Sequence, residues 1–67
     1  MKITYKPLWK LLIDRNLKKQ DFCKMAGVSP ATVTKMRQDK YITTETIVKI
    51  CNALNCGLAD VMELVEE

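Results

Sequence analysis

Ala31, Thr34, Lys35 and Gln38 recur at the spacing of one helical face, with Pro30 at its edge, and none of the five is a large apolar residue. At about 100° per residue, Val33, Met36, Arg37 and Lys40 cluster on the opposite side. The first face presents a methyl (Ala31), a hydroxyl that can donate or accept (Thr34) and a cation (Lys35). These groups match what base pairs expose in a major groove: the thymine methyl, mixed donors and acceptors, and the guanine acceptors. Pro30, Ala31, Thr34, Lys35 and Gln38 are therefore the candidate base contacts. A second set, Lys18, Lys19, Ser29, Thr32 and Lys40, falls at helix starts or in connections, where phosphate binds favourably. A single lysine of this kind reads equally well as a solvated charge. The set carries more weight than its members.

The elements that must hold these groups are written clearly. Leu17 to Met36 contains two short helical patterns separated by Gly27 and a Ser29-Pro30 restart, the grammar of a helix-turn-helix unit, here over about residues 18–38. Gly27 supplies the positive φ of a tight helix end. Ser29 can cap the next helix, Pro30 has the φ of a first helical position, and Val28 with Val33 forms a hydrophobic staple. Around this unit, Pro7 opens a first helix to about Arg15, with Leu8, Leu11 and Leu12 on one face and Trp9 and Ile13 beside it. Trp9 reads as core against the C-terminal helix, with a dimer contact as the sharper alternative. The second helix covers about Lys19 to Met25, with Phe22, Cys23 and Ala26 inward. Thr43 caps a fourth helix, with Ile42 and Ile47 as staple and Ile47, Ile50, Cys51 and Leu54 as its buried stripe. Gly57 is a weaker cap for a fifth helix whose Leu58, Val61, Met62 and Val65 close the core, and Glu66-Glu67 should fray. Ile3-Thr4-Tyr5 is β-prone, either a short strand or an extended arm.

Bulk properties bound the rest. Sixty-seven residues make one domain, residues 1–67, near the lower limit for an unstapled core, and 48% hydrophobic residues exclude a disordered tail. Short helices of this kind are stable only through shared packing. No apolar run is long enough to span a membrane and no cleavage site follows the basic start, so a cytoplasmic protein is expected. Residues 1–40 carry a balance of +7 and residues 41–67 one of −4, giving the net +3. The basic half contains the helix-turn-helix pattern, which suggests a polyanionic partner. Cys23, Cys51 and Cys56 read as buried free thiols, with a Cys51–Cys56 redox pair as the alternative. Without histidine or a tight cysteine pair, neither a metal site nor any cofactor is expected. An enzyme is not expected either, since no nucleophile arrangement, apolar carboxylate pair or phosphate-cradling glycine loop is present.

Leu17-Lys18-Lys19-Gln20-Asp21-Phe22-Cys23, Gly27-Val28-Ser29, Thr32-Val33-Thr34, Ile47, Ile50-Cys51 and Ala53-Leu54 together resemble the lambda-repressor-like, Cro-type helix-turn-helix family, also called the xenobiotic-response-element family. The resemblance covers about residues 7–64. It implies an all-α, five-helix DNA-binding domain, here with a short extended N-terminal arm. It also implies a sequence-specific regulator of transcription, in the repressor sense, acting as a homodimer on double-stranded DNA. By position, Lys19, Ser29, Pro30, Ala31, Thr34 and Lys35 match the family's DNA-facing residues. Lys18 stands where the family has a capping Thr or Ser, and Lys19 replaces a Gln. Pro30 and Ala31 bring almost no hydrogen-bonding capacity, so specificity falls to Thr34, Lys35 and DNA shape. The alternative role on the same fold is an antitoxin or protein-interaction module with a protein partner.

Overall fold

The computed structural model describes residues 1–66. The chain runs β1 (Lys2–Thr4), α1 (Lys6–Asp14), α2 (Lys19–Ala26), α3 (Pro30–Arg37), α4 (Thr44–Leu54), a 3-10 turn (Leu58–Asp60) and β2 (Glu63–Val65). Among the described residues no helix is long and apolar enough to cross a membrane.

Each helix start follows from local chemistry. In α3 the Thr32 N–H donates to Ser29 Oγ at 3.2 Å, and in α4 the Thr46 N–H donates to Thr43 Oγ1 at 3.3 Å. These are two of the three caps expected from the sequence. Lys18 precedes α2 and has no acceptor to offer. Its own N–H instead donates to the Asp21 carboxylate at 3.3 Å, the returning half of a capping box. Gly57 N–H uses Asp60 in the same way, at 3.1 Å.

All four helices end by one device. Asn16, Gly27, Asp39 and Asn55 take left-handed φ values of 56, 68, 55 and 51°. The next residue's N–H then reaches back five positions: Leu17 to Leu12, Val28 to Cys23, Lys40 to Lys35 and Cys56 to Cys51, at 2.9–3.2 Å. This satisfies carbonyls that the last turn leaves open. Arg15 adds its guanidinium to the Leu54 carbonyl at the end of α4, where the helix dipole favours a cation. The turn after α4 also sets Cys56 beside Cys51. Burial, reinforced by the neighbouring Cys51 thiol, pushes the Cys56 thiol up. All three cysteines are half-buried rather than buried.

Two expectations require correction. The fifth helix is a single 3-10 turn followed by a strand, so the described residues form four α-helices and a strand pair and are not all-α. The extended arm is instead β1, paired antiparallel with β2 through Lys2–Val65, Ile3–Leu64 and Thr4–Glu63. A short segment gains more from closing the β1 ladder than from one isolated helical turn. Leu58 is consequently 58% exposed, while Val61 is fully buried as expected. The expected fraying of the tail falls partly on Glu67, outside the described residues.

One core joins the four helices: Leu8 and Leu12 meet Phe22, Ala26, Val33, Met36, Ile47, Ile50 and Leu54, with Tyr5 just after β1 and Val61 just after the 3-10 turn closing it. Tyr5 also anchors the end of α3. Its hydroxyl donates to the Lys40 carbonyl at 2.8 Å, and its N–H and the Thr4 hydroxyl both donate to the Asp39 carboxylate, at 3.3 and 3.2 Å.

Candidate nucleic-acid interface

α3 is locked on one side and open on the other. Val33 and Met36 are buried at 1% and 0% exposure, whereas Pro30, Ala31, Thr34, Lys35 and Gln38 are all exposed. All five candidate base contacts thus lie on the open side, with Gln38 just past the last helical residue. Thr34 Oγ1 donates to the Pro30 carbonyl at 3.1 Å. In that rotamer its hydroxyl proton is committed, so toward a base Thr34 offers an acceptor oxygen and a methyl. Its partners are then an adenine or cytosine amino group, or a thymine methyl.

The helix is held at both ends. Ser29 Oγ caps its start and shares a further hydrogen bond with Thr32 Oγ1 at 3.1 Å, so the half-buried Thr32 serves the cap before it can serve phosphate. At the other end, Arg37 lies over the Trp9 ring, 5.2 Å from its centroid, a cation–π contact that ties α3 to α1. Trp9 is half-buried there, beside α3 rather than against a C-terminal helix. Ser29→Ala should lower stability by ~0.5–2 kcal/mol through the lost cap, measured by urea or thermal unfolding. An unchanged melting temperature would remove that role.

Two grooves border the open face. One is lined by Lys19, Gln20, Cys23, Lys24 and Pro30, the other by Thr32, Lys35, Tyr41, Ile42, Thr43 and Thr46. The first brings Lys19, at the start of α2, alongside Pro30. The second joins Thr32 and Lys35 to the start of α4. Lys18 and Lys40 are also exposed, and the Lys40 backbone is pinned by the Tyr5 hydroxyl and by its own bond to Lys35. Ser29 is exposed at the turn between α2 and α3.

Gln20, Lys24, Tyr41, Thr43 and Thr46 share these grooves but were not singled out from the sequence as contacts. Thr43 and Thr46 register in sequence only as a helix cap. Tyr41, 80% exposed in the connection before α4, is a large aromatic with no core role. An aromatic between two basic or hydroxyl-rich segments is the signal that could have marked this groove.

A family model described as the Cro/C1-type helix-turn-helix DNA-binding domain matches residues 7–67. A solved structure, that of the transcriptional regulator VanUg, superposes with a TM-score of 0.91 at 36% sequence identity, covering 98% of this chain and 88% of the other. No curated protein matches. With the family model spanning nearly all of it, the chain belongs to the Cro/C1-type helix-turn-helix DNA-binding family.

Proposed function

We propose that this protein is a sequence-specific transcription regulator, acting as a repressor, which inserts α3 into the major groove of its operator. The observation that carries this reading is the exposed face of α3. Its five small or polar side chains stand over a buried Val33 and Met36, between two grooves that hold Lys19, Lys24 and Lys35. Thr34 and Lys35 read bases, and Ala31 and Pro30 allow close approach of the helix. Lys18, Lys19 and Lys40, with Ser29 at the start of α3, hold the phosphates. Bound as a homodimer, two α3 helices would meet half-sites about one helical turn, roughly 34 Å, apart. Such occupancy of a promoter excludes polymerase and gives repression.

Mobility shift on the DNA upstream of its own gene tests this. Binding should be tighter than to scrambled DNA and should weaken as salt rises, with a log–log slope of about −0.9 for each phosphate neutralised. Equal affinity for both duplexes, or no binding at low salt, would overturn the proposal.

A further inference from the structure

We propose that the cavity between α1, α2 and α3 binds a small planar aromatic carboxylate, whose anion competes with DNA phosphate for Lys19. The effect on DNA rests on the phosphate role proposed for Lys19 above, whereas binding to the cavity does not.

Trp9, Leu12 and Ile13 of α1, Phe22 of α2 and Val33 of α3 give this cavity an apolar lining, to which Lys19 and Arg37 add two cations. Its volume is about 240 Å³. An apolar cavity of about 150 Å³ is enough to take up benzene, so this one has room for an aromatic ring and a short planar substituent. Leu12, Phe22 and Val33 are buried core residues and form its floor. Ile13 is 73% exposed and Trp9 half-buried, so the cavity reaches from core to solvent. A ring seated there would cover apolar surface that now faces water.

Charge selects the head group. Among the described residues no acidic side chain lines the cavity, and neither Lys19 nor Arg37 is in an ion pair, the one salt bridge joining Lys49 to Glu45. Two cations beside an apolar cavity, with no acid opposite them, favour an anion carried on an apolar body. Arg37 already lies over the Trp9 ring, 5.2 Å from its centroid. A guanidinium stacked in this way keeps its N–H edge free for the two parallel bonds that a planar carboxylate accepts.

Lys19 gives the cavity its link to DNA. The same side chain also lines the groove that holds Gln20, Lys24 and Pro30 beside the open face of α3. One ammonium thus serves both the cavity and the groove, and an anion on one side weakens its hold on phosphate at the other. The coupling is reciprocal, so bound DNA lowers affinity for the carboxylate by the same factor.

Calorimetry and backbone amide shifts on the full chain test the cavity, with cinnamate as the probe and cinnamamide as its uncharged counterpart. Cinnamate should bind in the millimolar range or tighter, at least about tenfold better than cinnamamide, and should shift amides around Leu12, Phe22 and Val33. Lys19→Gln and Arg37→Gln, each at an exposed position, should each weaken it at least about fivefold. Lys10→Gln removes the same charge from α1 outside the cavity lining and should leave it unchanged. Circular dichroism selects the variants that remain folded. Failure of cinnamate to bind, equal affinity for the amide, or shifts confined to other surfaces overturns the proposal, as does full affinity in both cavity variants. With the upstream duplex, saturating cinnamate should weaken binding at least about fivefold and make the log–log salt slope shallower by about 0.9. Both effects should vanish in Lys19→Gln. Unchanged DNA affinity in cinnamate overturns the competition for Lys19. If the wild type binds no DNA even without cinnamate, the DNA reading falls and calorimetry still decides the cavity.

Discussion

Tyr5→Ala should cost about 3–5 kcal/mol and leave little native protein at ambient temperature. The ring is fully buried in the core. Its hydroxyl satisfies the Lys40 carbonyl, and its backbone N–H helps hold Asp39 in the left-handed conformation that ends α3. Alanine leaves a cavity and strips the Lys40 carbonyl of that partner. A domain of this size has only roughly 3–10 kcal/mol of total stability to lose. Tyr5→Phe keeps the ring and removes only the hydrogen bond, at about 1 kcal/mol. Urea unfolding of both variants separates packing from hydrogen bonding. Equal, small losses would mean that the N-terminal segment is an arm and not part of the core. Burial pushes the Tyr5 phenol above its usual 10.0. Because the folded form resists ionisation, this contribution is complete below the usual value and is lost as pH rises above it. Tyr5→Phe should therefore flatten the alkaline end of the stability profile.

Lys35→Ala should weaken operator binding by ~1–3 kcal/mol while changing binding to unrelated DNA far less. Lys35 is exposed on the open face of α3, away from the buried Val33 and Met36, so its removal leaves the fold intact. It also lines the groove shared with Tyr41 and Thr43, where a phosphate contact is the competing role. Anisotropy on operator and scrambled duplexes distinguishes them. A selective loss assigns Lys35 to a base. An equal loss on both, with a shallower salt slope, assigns it to phosphate.

The contrast between these two residues shows how the sequence divides. Lys35 and its companions were legible because helical spacing is a local property, and so were Gly27, Ser29-Pro30 and Thr43. Each acts within about four residues of itself. Tyr5 was not legible as core, because its partners Asp39 and Lys40 lie more than thirty positions away. The same distance hid β2: Glu63-Leu64-Val65 pairs with the opposite end of the chain, and nothing in its own neighbourhood announces that ladder. Leu58, Val61, Met62 and Val65 even fit a helical face. Asn16, Asp39 and Asn55 end helices as glycine does, which composition alone does not reveal, since asparagine and aspartate adopt left-handed φ only in some contexts. Helical spacing puts Arg37 on the inward side of its helix, whereas it is exposed and seated over Trp9, a position set by the packing of α1.

Backbone amide shifts during titration with the upstream duplex test the central claim most directly. The account predicts the largest changes at residues 29–38, with smaller ones at Lys18, Lys19, Gln20 and around Tyr41 and Thr43. Scrambled DNA should perturb the basic positions but move Thr34 and Lys35 much less. Changes concentrated elsewhere, with 29–38 silent, would contradict the assignment of α3 as the reading helix.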